Sequence, residues 1–427
     1  MKLSLRALRE RADALFAAGR VSDAAYYYVA VLERVPEDIN ARMSLADALT
    51  SLGMPQAAAP IYEAAADLAI DGGHPLIAIV ACRALETALP AAKPRCEALL
   101  ERLAAVYGRD SDRLADVGAR LNALGLDDLK VETRKLKLCA PAQLVERAVA
   151  VGTARPADMA MPFKLPREPL LSRLSPRALL GAVRGCCVHR LPAGHPLINE
   201  GDAGSACYLV AAGRLEVLKV DDLGMPRQVA QVSAGSVVGE MALVSGAPRS
   251  ATVRTLEPCD VIELGPEALA GIGEELDEIA PALYRMAQQR WMNNVIEQSA
   301  LFSVFSAQQR RDLLRHFQAH QAPAGTVLFR KGEHAKGIFL VFRGEVDVKA
   351  EGRPTQRMRA GAMLGVTSLM RNEPAAATAV AATHTKLLFL PGSRVRMLRD
   401  AVPEFARAVG AIAQHRSGMI NLSSLQG

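Results

Sequence analysis

The sequence predicts a multidomain protein of α and β parts: an N-terminal α-solenoid, then two β-rich domains with flanking helices. Three observations predict it. Small and aromatic residues recur at an offset of 34 near the N-terminus. Beyond residue 170 the apolar pattern changes from helical to strand period, and that β-rich part contains one pattern twice. A chain of 427 residues is also too long for one core, so about three domains of ~150 residues are expected.

In the first part, Gly19 and Gly53 stand 34 residues apart, and the same offset relates Ala24 to Ala58, Ala25 to Ala59 and Tyr28 to Tyr62. Pro36 follows the first unit as a helix breaker. Each unit reads as a helix, a glycine turn and a second helix whose small residues allow close packing. This resembles tetratricopeptide repeats, whose period is ~34 residues. Amphipathic segments at Pro75–Leu89, Ala92–Tyr107 and Ser111–Leu124 follow without holding the period, and the next turn position is Thr87 rather than glycine. Residues 1–145 are assigned to this tetratricopeptide-like helical domain. Stacked repeats expose a concave face that commonly holds a protein partner, although no residue here identifies the guest. Residues 146–169 are assigned to a linker, because Gly152–Pro169 is proline-rich and lacks periodicity.

Short β-type runs then appear at Cys186–Leu191, Cys207–Val210, Leu215–Val220, Gln228–Val232, Ala251–Thr255 and Val261–Leu264, with turn glycines between them. Many short strands with frequent turns predict a sandwich, jelly roll or barrel. A helical stretch at Pro281–Ala300 closes this copy. In the second copy Leu328, Gly332 and Gly344 repeat Leu197, Gly201 and Gly213 at an offset of 131. Gly361, Gly365, Leu369 and Pro374 then repeat Gly235, Gly239, Leu243 and Pro248 at an offset of 126. The lost residues fit a longer hairpin around Asp221–Pro226 of the first copy, where indels are tolerated. The two domains are placed at 170–300 and 301–427.

The run from Val238 to Thr252 holds the candidate chemistry. A glycine at 239 lets backbone approach a ligand closely. The guanidinium of Arg249 can take two phosphate oxygens at once, and Ser250 adds a hydroxyl. Glu240 would repel a phosphate, so its presence fits a ribose hydroxyl beside a single phosphodiester. One arginine, one carboxylate and one phosphate describe a cyclic mononucleotide better than a triphosphate.

The run Gly239-Glu240-Met241-Ala242-Leu243, five residues, then Arg249-Ser250-Ala251 resembles the phosphate-binding cassette of cyclic-nucleotide-binding domains. That family includes the catabolite activator protein and the regulatory subunits of cAMP-dependent protein kinase. The upstream run from Leu197 through Gly201, Gly204 and Tyr208 to Gly213 is similar to the family's structural hairpin. The resemblance implies jelly rolls and assigns roles. Gly239 and Ala242 offer backbone N–H groups, with Met241 between Glu240 and Ala242 in the cassette. Glu240 binds the ribose 2′-hydroxyl, Arg249 the exocyclic phosphate oxygens, and Ser250 assists. In some members of the family the following helix caps the base, which makes Trp291 and Tyr284, on one face of that helix, candidate caps; burial between the two β-domains is the expected role of that face. Ser250 is compatible with cAMP or cGMP, and cAMP is the expected ligand.

The second copy has Val366 at the carboxylate position and Ala375 at the arginine position, so it is expected to be degenerate. Arg371 is the one nearby cation and is expected to be loop-exposed. Seven cysteines form no CxxC pair, His316 and His320 read as a solvated helix face, and no hydrolase, kinase or Walker motif is present. No metal, other cofactor or catalytic constellation is therefore expected. The net charge of +6 is dispersed, and no apolar run reaches a membrane-spanning length. Neither nucleic-acid binding nor membrane insertion is expected, and the expected location is cytoplasmic.

The function expected is a non-enzymatic cAMP receptor. Ligand in the first β-domain would, through its C-terminal helix, alter partner binding by the helical domain. The alternatives are a cGMP-responsive protein, a kinase regulatory subunit and a constitutive scaffold with vestigial pockets. A transcription factor would need a helix-turn-helix, for which little chain follows Gly392. The linker lacks an Arg-Arg-x-Ser/Ala inhibitor stretch.

Overall fold

The N-terminal helices begin where local chemistry starts them. Ser4 accepts from the Ala7 N–H to cap α1 (Leu5–Ala17), and Asp38 accepts from the Ala41 N–H to cap α3 (Ile39–Ser51). Proline occupies the first position of α4 (Pro55–Asp71) and α5 (Pro75–Ala88), where its missing N–H costs nothing. With α2 (Val21–Leu32) and α6 (Lys93–Tyr107), successive helices pack on one another. The turn after α1 holds Gly19 at φ 76° and the turn after α3 holds Gly53 at φ 75°, so the offset of 34 is a repeated backbone geometry. Ala24, Ala25, Ala58 and Ala59 are buried at the helix contacts. A computed structural model describes residues 2–422 except 123–129, 133–139, 156–158, 221–224, 246–247, 284, 287–298, 300 and 303.

Two expectations in this part fail. Residues 111–122 are not helical; they hold the short strand β2 (Leu114–Ala115) after β1 (Lys2–Ser4). Gly118 presses on the backbone of Leu165, with no room for a Cβ. The stretch assigned to a linker is also built into the domain. α7 (Pro141–Thr153) runs through its first half and packs on α2, α3 and α4. Arg42, 1% exposed, donates to the carbonyls of Pro36, Gly152 and Ala154. Arg155 pairs with Asp71 at 2.7 Å. Farther on, β4 (Leu165–Pro166) lies parallel to β2, and β3 (Lys130–Glu132) pairs with β1. Proline and glycine mark irregular backbone; they do not show whether it is docked.

The first β-domain follows α8 (Pro176–Gly185). Its strands are β5 (Cys187–Leu191), β6 (Pro196–Ile198), β7 (Cys207–Ala212), β8 (Arg214–Val220), β9 (Pro226–Ser233), β10 (Val237–Val238), β11 (Thr252–Thr255) and β12 (Cys259–Leu264). They form two four-stranded antiparallel sheets, ordered β10-β7-β12-β5 and β6-β11-β8-β9, before α10 (Pro266–Ile272). Val210, Val253 and Val261 fill the space between the sheets. Cys207, Leu209, Ala211, Ile262 and Leu264 face the other way, into one core with the N-terminal helices. Both faces of the β7–β12 sheet are thus covered, so β7 reads Cys-Tyr-Leu-Val-Ala-Ala instead of alternating. The helical part and this β-domain form one unit through residue 286.

The second unit repeats the β-domain strand for strand. It contains β13 (Gln318–Ala322), β14 (Val327–Phe329), β15 (Gly337–Arg343), β16 (Val346–Lys349), β17 (Gln356–Met358), β18 (Met363–Leu364), β19 (Thr378–Ala381) and β20 (Thr385–Pro391). The orders β13-β20-β15-β18 and β14-β19-β16-β17 reproduce the first domain. The four aligned glycine pairs all have positive φ in both copies. The shorter β16–β17 hairpin takes up the change of offset. Helices Gly392–Ala401 and Pro403–Leu422 cover its outer face through Val395, Leu398, Phe405 and Val409.

Candidate functional site

Strand β10 ends at Val238, and the chain turns at Gly239 into α9 (Glu240–Ser245). Gly239 has φ 81°, a left-handed conformation that costs other residues ~1–2 kcal/mol. A Cβ there would also lie 2.6 Å from Arg249 Nη1. The turn places Glu240 wholly out of solvent, with Met241 and Ala242 buried beside it. Ser250 donates from Oγ to Met241 Sδ at 3.4 Å.

Arg249 sits in the loop before β11 and is held by its own backbone. Its N–H donates to Asp202 O at 2.7 Å, and its carbonyl accepts from the Gly201 N–H at 2.9 Å. The guanidinium donates from Nη1 to Gly239 O at 2.8 Å and lies 5.8 Å from the centre of the Tyr208 ring. It is 7% exposed, and among the described residues it forms no ion pair. Glu240 and Arg249 both approach Cys207 of β7. Burial pushes that thiol up to about 12, the Glu240 carboxylate pushes the same way and Arg249 opposes it. The two charged residues therefore sit in one buried corner.

Two residues of this corner lie outside the cassette. The Gly204 backbone is flat against the guanidinium, and a Cβ there would stand 2.1 Å from Arg249 Nε. Tyr208 supplies the ring beneath it. The signal for both was the duplication: at the offset of 131 they correspond to Ala335 and Phe339.

In the second copy the backbone of the corner survives. Gly332 N–H donates to Ala375 O at 2.8 Å, Ala375 N–H donates to Glu333 O at 2.8 Å, and Gly365 has φ 81°. Val366 and Ala375 are buried where the first copy has Glu240 and Arg249. The space-making glycine has become Ala335, so the guanidinium and the gap that admits it are lost together. Arg371 is exposed. Tyr284 and Trp291, the candidate base caps, lie outside the described residues. His320 is on β13 with its ring 5.8 Å from Phe339, so the shared helix face expected for His316 and His320 does not exist. No cluster of metal-ligating residues occurs among the described residues, and none of their helices is long and apolar enough to cross a membrane.

Residues 188–275 and 319–401 match the family model of the cyclic nucleotide-binding domain. A cAMP-dependent protein kinase regulatory subunit of Pyricularia oryzae is 27% identical over 221 residues, covering 49% of this chain and 55% of that protein. The corresponding subunit of Neurospora crassa is 26% identical, covering 50% and 56%. A cGMP-dependent protein kinase of Toxoplasma gondii is 28% identical over 38% of this chain and 15% of its own length. The chain spans about half the length of the regulatory subunits it matches. Among solved structures, the regulatory domain of Toxoplasma gondii PKA with cAMP aligns at 24% identity, covering 57% of this chain and 90% of that one, with a TM-score of 0.27.

Proposed function

We propose that this chain, which carries tandem cyclic nucleotide-binding domains, is a non-enzymatic receptor for cAMP that couples ligand in its first domain to a protein partner of its helical domain. One observation supports the reading most: Arg249 is a buried guanidinium with no ion-pair partner among the described residues. Leaving such a charge uncompensated costs several kcal/mol, so its position makes sense when an anion completes the site. A cyclic phosphodiester supplies one negative charge and two exocyclic oxygens for the planar fork.

In this reading Arg249 binds the phosphate, Glu240 accepts from the ribose 2′-hydroxyl, and Gly239 and Ala242 present backbone N–H groups. Met241 packs behind them, and Ser250 exchanges its contact with the Met241 sulfur for the ligand. Residues 170–300 form the binding domain and residues 301–427 a copy that has lost the site. The N-terminal helices are read as tetratricopeptide-like pairs with an expected concave partner face. The names of the matched kinase subunits favour cAMP over cGMP. Coupling has a physical route within the first unit. β7 carries Tyr208 on the site face and Leu209 in the core shared with the helices. It operates only if the two conformations differ in affinity for the ligand.

Isothermal titration of cAMP, cGMP and cyclic di-GMP into wild type and Arg249→Ala tests the receptor reading. The expected result is one cAMP site per chain, with a loss of ~2–5 kcal/mol in the variant, as when one partner of a buried charged pair is truncated. Equal titration curves for the two proteins, or no cAMP heat at all, would overturn it and leave the scaffold reading.

A further inference from the structure

A cleft of about 1120 Å³ lies inside the first unit, between the N-terminal helices and the β5–β12 edge of the β-domain. That exceeds the ~300–1,000 Å³ of most small-molecule pockets and suits an extended segment of chain. Its floor shows a repeated device. Tyr28 donates to Asp13 Oδ1 at 2.7 Å, and Tyr62 donates to Asp47 Oδ1 at 2.6 Å. Both partners differ by 34 positions, so each helix pair presents one tyrosine-held aspartate to the cleft.

The chain itself shows what such an aspartate takes. Arg190 of β5 reaches across, donating to both Asp47 oxygens, at 2.7 Å from Nη2 to Oδ2, while its Nε bonds Asp260 at 3.0 Å. The carboxylate holds the guanidinium by both oxygens while the tyrosine hydroxyl fixes the carboxylate. The other charged residues of the cleft wall are also paired: Arg9 with Asp38, Arg83 with Glu86, and Glu257 with Arg214. Asp13 is exposed and, among the described residues, is the one charged group lining the cleft without an ion pair.

We propose that this cleft binds an extended arginine-bearing segment of a partner protein, whose guanidinium takes the Tyr28-held Asp13 as Arg190 takes the Tyr62-held Asp47. The proposal supplies partner chemistry for the helical domain and rests on the reading of that domain as a partner-binding face. It does not depend on nucleotide.

The full chain, without nucleotide, is panned against short random peptides. Enriched peptides are then titrated into wild type, Asp13→Asn and Tyr28→Phe. The expected result is arginine at a shared position, with affinity at least ~tenfold lower when citrulline replaces it or when Asp13 is asparagine. Tyr28→Phe should weaken binding less. Asparagine keeps an oxygen for the Tyr28 hydroxyl, and the citrulline comparison on wild type needs no variant. Enrichment of nothing, peptides without a common arginine, or equal binding of arginine and citrulline forms would overturn the proposal. Peptide binding retained by Arg249→Ala while cAMP binding is lost would separate this site from the nucleotide site.

Discussion

At the scale of single residues, the first β-domain is organised by how close backbone comes to one guanidinium. Gly204 and Gly239 both leave out a Cβ that would collide with Arg249. Gly204→Ala is therefore expected to lower cAMP affinity ~tenfold or more by moving the guanidinium off Gly239 O; unchanged affinity in calorimetry would contradict it. His74 gives a pH dependence. Its Nε2 is 2.6 Å from Leu121 O, and burial holds its imidazole below the ordinary value of 6.5, with the Leu121 carbonyl opposing. The unfolded chain then takes up the proton first. This contribution to stability is intact above pH 6.5 and is lost as pH falls from there to the folded-state value. Melting temperatures from pH 8 downward should decline less in His74→Gln than in wild type.

At the scale of elements, the chain holds α7 against the first helices by a charge it buries. Burial lowers the Arg42 guanidinium to about 10, with Asp38 opposing that shift, yet three carbonyls from two segments accept from it. Arg42→Ala leaves those acceptors unmet and should destabilise the first unit by ~2–4 kcal/mol in urea unfolding. Arg147→Ala, which removes a surface pair with Glu33, should cost under ~1 kcal/mol. Equal effects would mean that α7 is held by its apolar face alone. The two glycine turns at 19 and 53 were readable because a left-handed residue leaves a fixed mark in sequence. Residues 111–122 misled because amphipathic spacing alone predicts a helix, while Gly118 and the Leu165 backbone fix an extended path.

At the scale of the whole molecule, the two β-domains are one scaffold with and without its chemistry. Stoichiometry should be one cAMP per chain. Restoring the second site with Val366→Glu and Ala375→Arg should fail while Ala335 fills the space that Gly204 leaves open. Adding Ala335→Gly should yield a second calorimetric site; if the double variant binds as well as the triple, the steric argument is wrong. The sequence by itself determined that the β-domain is duplicated, the glycines that turn it, and which copy keeps Glu240 and Arg249. Each of these is written in local conformation or in a short run. Only the tertiary structure decided that the proline-rich stretch is docked, that both faces of the β7–β12 sheet are covered, and that Arg190 meets Asp47 across 143 positions. Contacts between distant segments have no period and no motif, because their free energy depends on where the intervening chain places them.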